Sequence, residues 1–139
     1  MMFPIPDQFR QGRLFLVGAK GTGMTALAEL LVSGGALVTG SDVAEEFYTD
    51  RILAEIGVTL VTGFAAADLP DDTHLVIYSA AYDPDHNPQL LAARARQIPV
   101  LSYPEALGRL SLELPSAAIA GVHGKTTTTA MAGTIIKEL

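Results

Sequence analysis

A chain of 139 residues has room for one domain whose core needs no staples. Hydrophobic residues make up 49% and charged ones 17%, which suits a globular α/β protein with a buried sheet and excludes a disordered chain. The lack of cysteine rules out disulfides and cysteine-based metal sites, and a net charge of −6 speaks against nonspecific nucleic-acid binding, which works by neutralising phosphates.

Residues 1–12 hold Asp7, Gln8 and Arg10 and no apolar core, so they do not read as a secretory signal. No run approaches the roughly 20 apolar residues of a membrane span. A soluble, cytoplasmic protein without membrane insertion is expected.

In chain order, Leu14-Phe15-Leu16-Val17 gives a first strand over 13–17, apolar on both faces as a central parallel strand is. Gly18-Ala19-Lys20-Gly21-Thr22-Gly23 follows, and then Met24, Leu27, Ala28 and Leu31 recur at helical spacing. Gly34-Gly35 stops that helix, and a short strand over 36–39 ends at Gly40-Ser41-Asp42. A helix is predicted over 45–56 with Tyr48, Ile52 and Ile56 on one side, then a strand over 58–61. Residues 65–68 make one helical turn, 70–72 are loop, and 74–79 form a fourth strand. Asn87-Pro88 starts a helix, with Asn as cap and Pro at the first helical position; Leu90, Leu91, Ala93 and Ala95 follow, with Arg94 and Arg96 toward water. A fifth strand covers 98–101, and Ser102-Tyr103-Pro104-Glu105 resembles a capping box opening a helix to Leu110.

This alternation predicts a Rossmann-like, doubly wound parallel sheet with helices on both faces, occupying residues 1–112. After a break at 111–115, residues 116–120 read as a new strand, leading into a second glycine-rich turn and a helix from Thr126. Residues 113–139 therefore read as the start of a second domain, a truncated P-loop βα unit.

Two stretches carry chemistry. In Gly18–Gly23, glycines let the backbone turn tightly and approach a ligand, and the first N–H groups of the next helix point at the turn. A tight turn with no ligand is the plain alternative. Asp42 follows Gly23 by 19 residues, about where a dinucleotide fold keeps its ribose-binding acid, though an N-cap role is equally open. The spacing departs from G-x-G-x-x-G, since Lys20 stands where the second glycine belongs; Lys20 is either a cation for a diphosphate or simply solvated.

The second stretch is Gly121-Val122-His123-Gly124-Lys125-Thr126-Thr127. Gly121 and Gly124 permit a backbone cradle, Lys125 supplies charge for β/γ-phosphates, and the Thr126 hydroxyl can ligate Mg²⁺. A surface lysine at a helix start would explain neither the glycines nor the run of threonines. His123 reads equally as a solvated residue or a site residue. His74 and His86 lie in different segments and make no metal spacing, and Glu45-Glu46 and Asp71-Asp72 read as solvated faces.

Taken with their flanks, these residues resemble the Mur ligases of peptidoglycan synthesis. Ala120 to Thr129 is similar to that family's ATP loop, usually A-G-T-H-G-K-T-T-T, with Val122 in place of the Thr or Asn. Phe15 to Met24, Ala28-Glu29-Leu30-Leu31, Gly40-Ser41-Asp42, Ser79-Ala80-Ala81 and Asn87-Pro88 resemble the branch that attaches L-alanine, whose loop reads G-I-G-G-I-G-M or G-I-K-G-T-G-M. Ala19 replaces a common Ile.

The resemblance implies an ATP-dependent amide-forming ligase. ATP phosphorylates the lactyl carboxylate of UDP-N-acetylmuramate, and the L-alanine amine attacks the acyl phosphate. It implies that Gly18, Ala19, Lys20, Gly21, Thr22 and Gly23 contact the UDP diphosphate, that Ser41 and Asp42 lie near the uridine, and that Ser79 and Ala80 line the same cleft. It places ATP on Gly121, Val122, His123, Gly124, Lys125, Thr126 and Thr127, with Lys125 on the phosphates, Thr126 on Mg²⁺ and His123 beside the reacting end. Family members have three domains, so a chain of this length is expected not to ligate on its own, and the apolar residues of 117–139 are expected to lack packing partners. Another Mur-type ligase with a different amino acid, an NAD-binding oxidoreductase domain and a non-catalytic nucleotide-fold sensor remain the other readings.

Overall fold

The computed structural model describes residues 5–139; the first four residues of the expected 1–112 unit lie outside the described residues. Five strands, β1 Arg13–Val17, β2 Leu37–Asp42, β3 Thr59–Thr62, β4 Thr73–Tyr78 and β5 Val100–Ser102, form one sheet. Their order is β3-β2-β1-β4-β5, and every pairing is parallel. The helices are α1 Thr22–Ser33, α2 Tyr48–Glu55, α3 Pro88–Ala95, α4 Tyr103–Glu113 and α5 Lys125–Glu138, with 3-10 turns at Asp7–Phe9 and Ala66–Asp68.

Alternation along β1 divides the core into two layers. Leu14 and Leu16 pack with Met24, Leu27, Ala28 and Leu31 of α1, Leu53 of α2, and Ala106 and Leu110 of α4. Phe15 and Val17 point the other way, to Val76, Leu69, and Leu90 and Ala93 of α3. Each large apolar side chain fully buried here contributes about 1.5–3 kcal/mol. The sheet is thus covered on both faces, as the unbroken apolar run of β1 requires.

Local chemistry sets several boundaries as expected. The Asn87 side chain accepts from the N–H groups of Gln89 (3.0 Å) and Leu90 (3.2 Å). Ser102 and Glu105 exchange side-chain bonds with each other's backbone N–H. Gly34, at the end of α1, donates its N–H to the Leu30 carbonyl at 3.0 Å.

Other expectations are corrected. β2 does not stop at Thr39: Gly40 and Ser41 pair with Leu16 and Val17, and Asp42 pairs with Thr62 of β3. A Cβ on Gly40 would lie 2.5 Å from the Leu16 carbonyl oxygen, so glycine here serves close strand approach rather than a turn. α2 begins at Tyr48, not residue 45, and buries Thr49 and Leu53, while Tyr48 is 68% exposed. On α3 the buried polar Gln89 takes the place expected for Leu91, which is exposed. α4 runs through the expected break to Glu113. Residues 116–120 form no strand, because a parallel strand exists only by pairing and no neighbour is offered to them. α5 forms without burying any residue.

Candidate functional site

The chain winds outward from β1 through β2 to β3, then crosses back to place β4 and β5 on the other side of β1. The connections leaving β1 and β4 therefore part to opposite faces, which opens a crevice at the carboxyl ends of the strands. A cleft of about 350 Å³ lies there. It is lined by Gly18, Lys20, Gly21 and Thr22 after β1, by Asp42, Val43, Phe47, Tyr48 and Thr49 at and after the end of β2, and by Ser79, Ala81 and Tyr82 after β4.

The loop after β1 is tied down at its start and open at its end. Gly18 (φ +81°) and Ala19 donate their N–H groups to the Ser41 carbonyl at 2.9 and 3.2 Å, and Lys20 N–H donates to Asp42 Oδ2 at 2.7 Å. Gly21 takes the N-cap position of α1. Beyond it, the N–H groups of Thr22, Gly23 and Met24 have no protein acceptor among the described residues. These are the orphan donors at the positive end of a helix, and an anion is their natural complement. The side chain of Lys20 adds nothing to them, for it turns to Asp50 Oδ1 (2.9 Å) and the Glu45 carbonyl (2.7 Å).

Asp42 is 5% exposed and receives three donors: Lys20 N–H on Oδ2, and Val43 N–H (2.7 Å) and the Tyr82 hydroxyl (3.2 Å) on Oδ1. Burial, and then the Asp42 charge, push the Tyr82 phenol above its usual range, so it stays a donor at neutral pH. Its ring packs at 4.6 Å from that of Phe64. Ser41 lies beneath the cleft, fully buried, its hydroxyl donating to Gln89 Oε1 at 2.6 Å. Ser79 lines the cleft, whereas Ala80 is exposed and does not.

The second loop is built at the N-terminus of α5. Gly121 (φ +155°) and Gly124 (φ +79°) take conformations that side chains disfavour. Lys125 folds back over the loop, its ammonium donating to the Gly121 carbonyl at 2.6 Å. Gly124 caps α5 without a side-chain bond, and Val122, His123, Thr126 and Thr127 are exposed. Open backbone donors, two unencumbered glycines and a flexible cation fit a phosphate chain. For a metal ion the loop offers the Thr126 hydroxyl, and no group of three or more His, Cys, Asp or Glu able to hold one exists among the described residues. None of residues 121–127 lines the cleft at the end of the sheet.

Sequence reasoning gave no site role to Val43, Phe47, Tyr48, Thr49, Ala81 or Tyr82. The adjacent aromatic pair Phe47-Tyr48 after an acidic loop was a usable signal, because paired aromatics in a polar crossover have no core to enter. Tyr82 sits in no motif.

A model of the Mur ligase family, catalytic domain, matches residues 14–113. The chain belongs to the Mur ligase family. Among relatives with which this Mur ligase chain is aligned, the UDP-N-acetylmuramate–L-alanine ligase of Treponema pallidum (strain Nichols) is 57% identical over 135 residues, covering 97% of this chain and 28% of the relative. The ligase of the same name from Borreliella burgdorferi is 45% identical, covering 91% and 28%. Among solved structures, the UDP-N-acetylmuramate-alanine ligase of Thermotoga maritima superimposes with a TM-score of 0.80 at 31% identity, over 91% of this chain and 29% of that one. A murein peptide ligase from Psychrobacter arcticus gives 0.78 at 30% identity, over 91% and 26%. This Mur ligase chain therefore spans about 28% of the length of the curated relatives it matches.

Proposed function

We propose that this chain is the UDP-N-acetylmuramate-holding part of an ATP-dependent ligase that joins L-alanine to that nucleotide sugar. Residues 1–112 hold the substrate, and residues 113–139 open the ATP-binding domain. The observation that carries the reading is the order of two phosphate-type helix starts: one over the crevice at the end of a doubly wound sheet, the next after it at Gly124-Lys125-Thr126. An NAD-dependent enzyme has no use for the second.

In this reading the N–H groups of Thr22, Gly23 and Met24 take the diphosphate, with Gly21 leaving the approach clear. Asp42 and Ser79 face the nucleoside; Ser41 holds the loop after β1 in place, its carbonyl accepting the N–H groups of Gly18 and Ala19. Gly121 to Thr127 take ATP, with Lys125 exchanging the Gly121 carbonyl for phosphate oxygens. The lactyl carboxylate attacks the γ-phosphorus and ADP leaves; the alanine amine then attacks the acyl carbon and phosphate leaves. His123 stands beside that carbon, and Mg²⁺, with Thr126 as one ligand, supplies charge neutralisation at the phosphates. Identities of 57% and 45% to relatives named for L-alanine support this branch.

Calorimetric titration of the chain with UDP-N-acetylmuramate, NAD and ATP tests the reading. Binding of the UDP-sugar and not of NAD is expected; the reverse overturns it. The 139-residue polypeptide is expected to show no L-alanine-dependent ATP turnover, and a measurable rate would refute that.

A further inference from the structure

Every polar group of Lys20 is committed to one neighbouring segment. Its N–H donates to Asp42 Oδ2 and its carbonyl accepts from Thr49 Oγ1, both at 2.7 Å. Its ammonium, on a side chain 9% exposed, lies 2.9 Å from Asp50 Oδ1, donates to the Glu45 carbonyl at 2.7 Å, and sits 5.9 Å from the centre of the Phe47 ring. Asp50 spends its other oxygen on the Phe47 N–H at 2.7 Å, capping α2. The segment gripped in this way carries Val43, Phe47, Tyr48 and Thr49, one wall of the cleft. Residues 43–47 belong to no helix or strand and are all exposed, so burial does little to fix them.

We infer that Lys20 is a positioning residue: through Asp50 and the Glu45 carbonyl it presets the β2–α2 wall of the cleft, and its charge is not spent on the ligand. The inference rests on the UDP-sugar reading above. Moving the ammonium to a phosphate would strand the Asp50 carboxylate and the Glu45 carbonyl and draw the lysine stem out of its slot. The bond from Lys20, followed by that from Phe47 N–H, holds the Asp50 carboxyl below its usual range, so Asp50 is a carboxylate at neutral pH.

Asp50→Asn discriminates between the two roles, because it keeps an oxygen for the Phe47 cap and removes the charge. Were Lys20 a direct phosphate ligand, this variant would free the ammonium and tighten UDP-N-acetylmuramate binding. Positioning predicts the opposite sign, a loss of roughly five-fold. Lys20→Met, which also removes the bond to the Glu45 carbonyl, loses at least as much, and the double variant is no weaker than Lys20→Met alone, since the Lys20–Asp50 pair is already gone in that variant. In the ligand-free chain, amide hydrogen exchange at residues 43–48 accelerates in Asp50→Asn while β1 and α1 keep their wild-type rates. Tighter binding by Asp50→Asn, or unchanged exchange at 43–48, overturns the inference. If the wild-type chain fails to bind the UDP-sugar, the proposed function falls and the exchange data alone decide the role of Lys20. If Lys20→Met fails to fold, Asp50→Asn carries the test.

Discussion

Replacing Gly18 by alanine strikes the fold and the cleft at one atom. At φ +81° a Cβ enters the left-handed region, which costs a non-glycine residue about 1–2 kcal/mol. That Cβ would also stand 2.5 Å from Tyr82 Cε2 and 2.9 Å from Ser79 Cβ, so the ring must be pushed off its seat. Overpacking of this kind adds about 1–3 kcal/mol. The sum, roughly 2–5 kcal/mol, is a large part of the 5–15 kcal/mol typical of a domain. For a chain of this size it lowers Tm by about 8–20 °C, read by far-UV circular dichroism. Gly21→Ala is the control: at φ −58°, with only the Gly18 carbonyl at 3.8 Å, it costs less than about 1 kcal/mol. Adding Tyr82→Ala removes the obstacle, so the double variant loses less than the sum of the single ones. A Gly18→Ala chain melting within about 2 °C of wild type would refute both the conformational and the crowding terms.

Gln89→Leu leaves the buried Ser41 hydroxyl without its acceptor and takes a donor from the Ala65 carbonyl, costing about 1–3 kcal/mol in urea unfolding. Adding Ser41→Ala should restore part of that loss, and strict additivity would contradict the pairing. Asn87→Ala removes the α3 cap and costs about 1 kcal/mol, measured by the same midpoint shift. Ile135→Lys, on the exposed α5, should change stability by less than about 0.5 kcal/mol; a larger loss would mean that the helix is packed. The carboxyls of Asp50, Asp72, Asp83 and Glu105 are all held low, by Lys20, Arg13, Asp85 N–H and Ser102 N–H respectively. The unfolded chain therefore binds protons more readily, so the stability from these groups is complete above a pH of about 5 and is lost progressively as pH falls below it. Urea midpoints that stay constant between neutral pH and well below 4 would contradict this.

Features governed by neighbours in sequence were legible. Asn87 and Ser102-Glu105 announced their caps because a cap is a bond across two or three residues. The alternation of strands and helices, beginning with the unbroken apolar run of β1 and the stripe of α1, gave the doubly wound sheet. What stayed hidden depends on partners far along the chain. The burial of Gln89 needs Ser41, 48 positions earlier. The tie from Lys20 to the β2–α2 wall of the cleft needs Asp50, and Tyr82 matters through Asp42, 40 positions before it. The strand expected at 116–120 failed for the same reason: small apolar residues supply a propensity, but a parallel strand requires a neighbour to pair with.

The three bonds onto Asp42 come from the connections after β1, β2 and β4. One carboxylate thus ties together three crossovers that the chain lays down separately. Anyone regrafting this crevice to accept a different nucleotide meets a joint constraint, since a loop lengthened or re-angled by itself drags the other two through the shared acid. Substrate preference in such a scaffold is changed by replacing the three loops as a set.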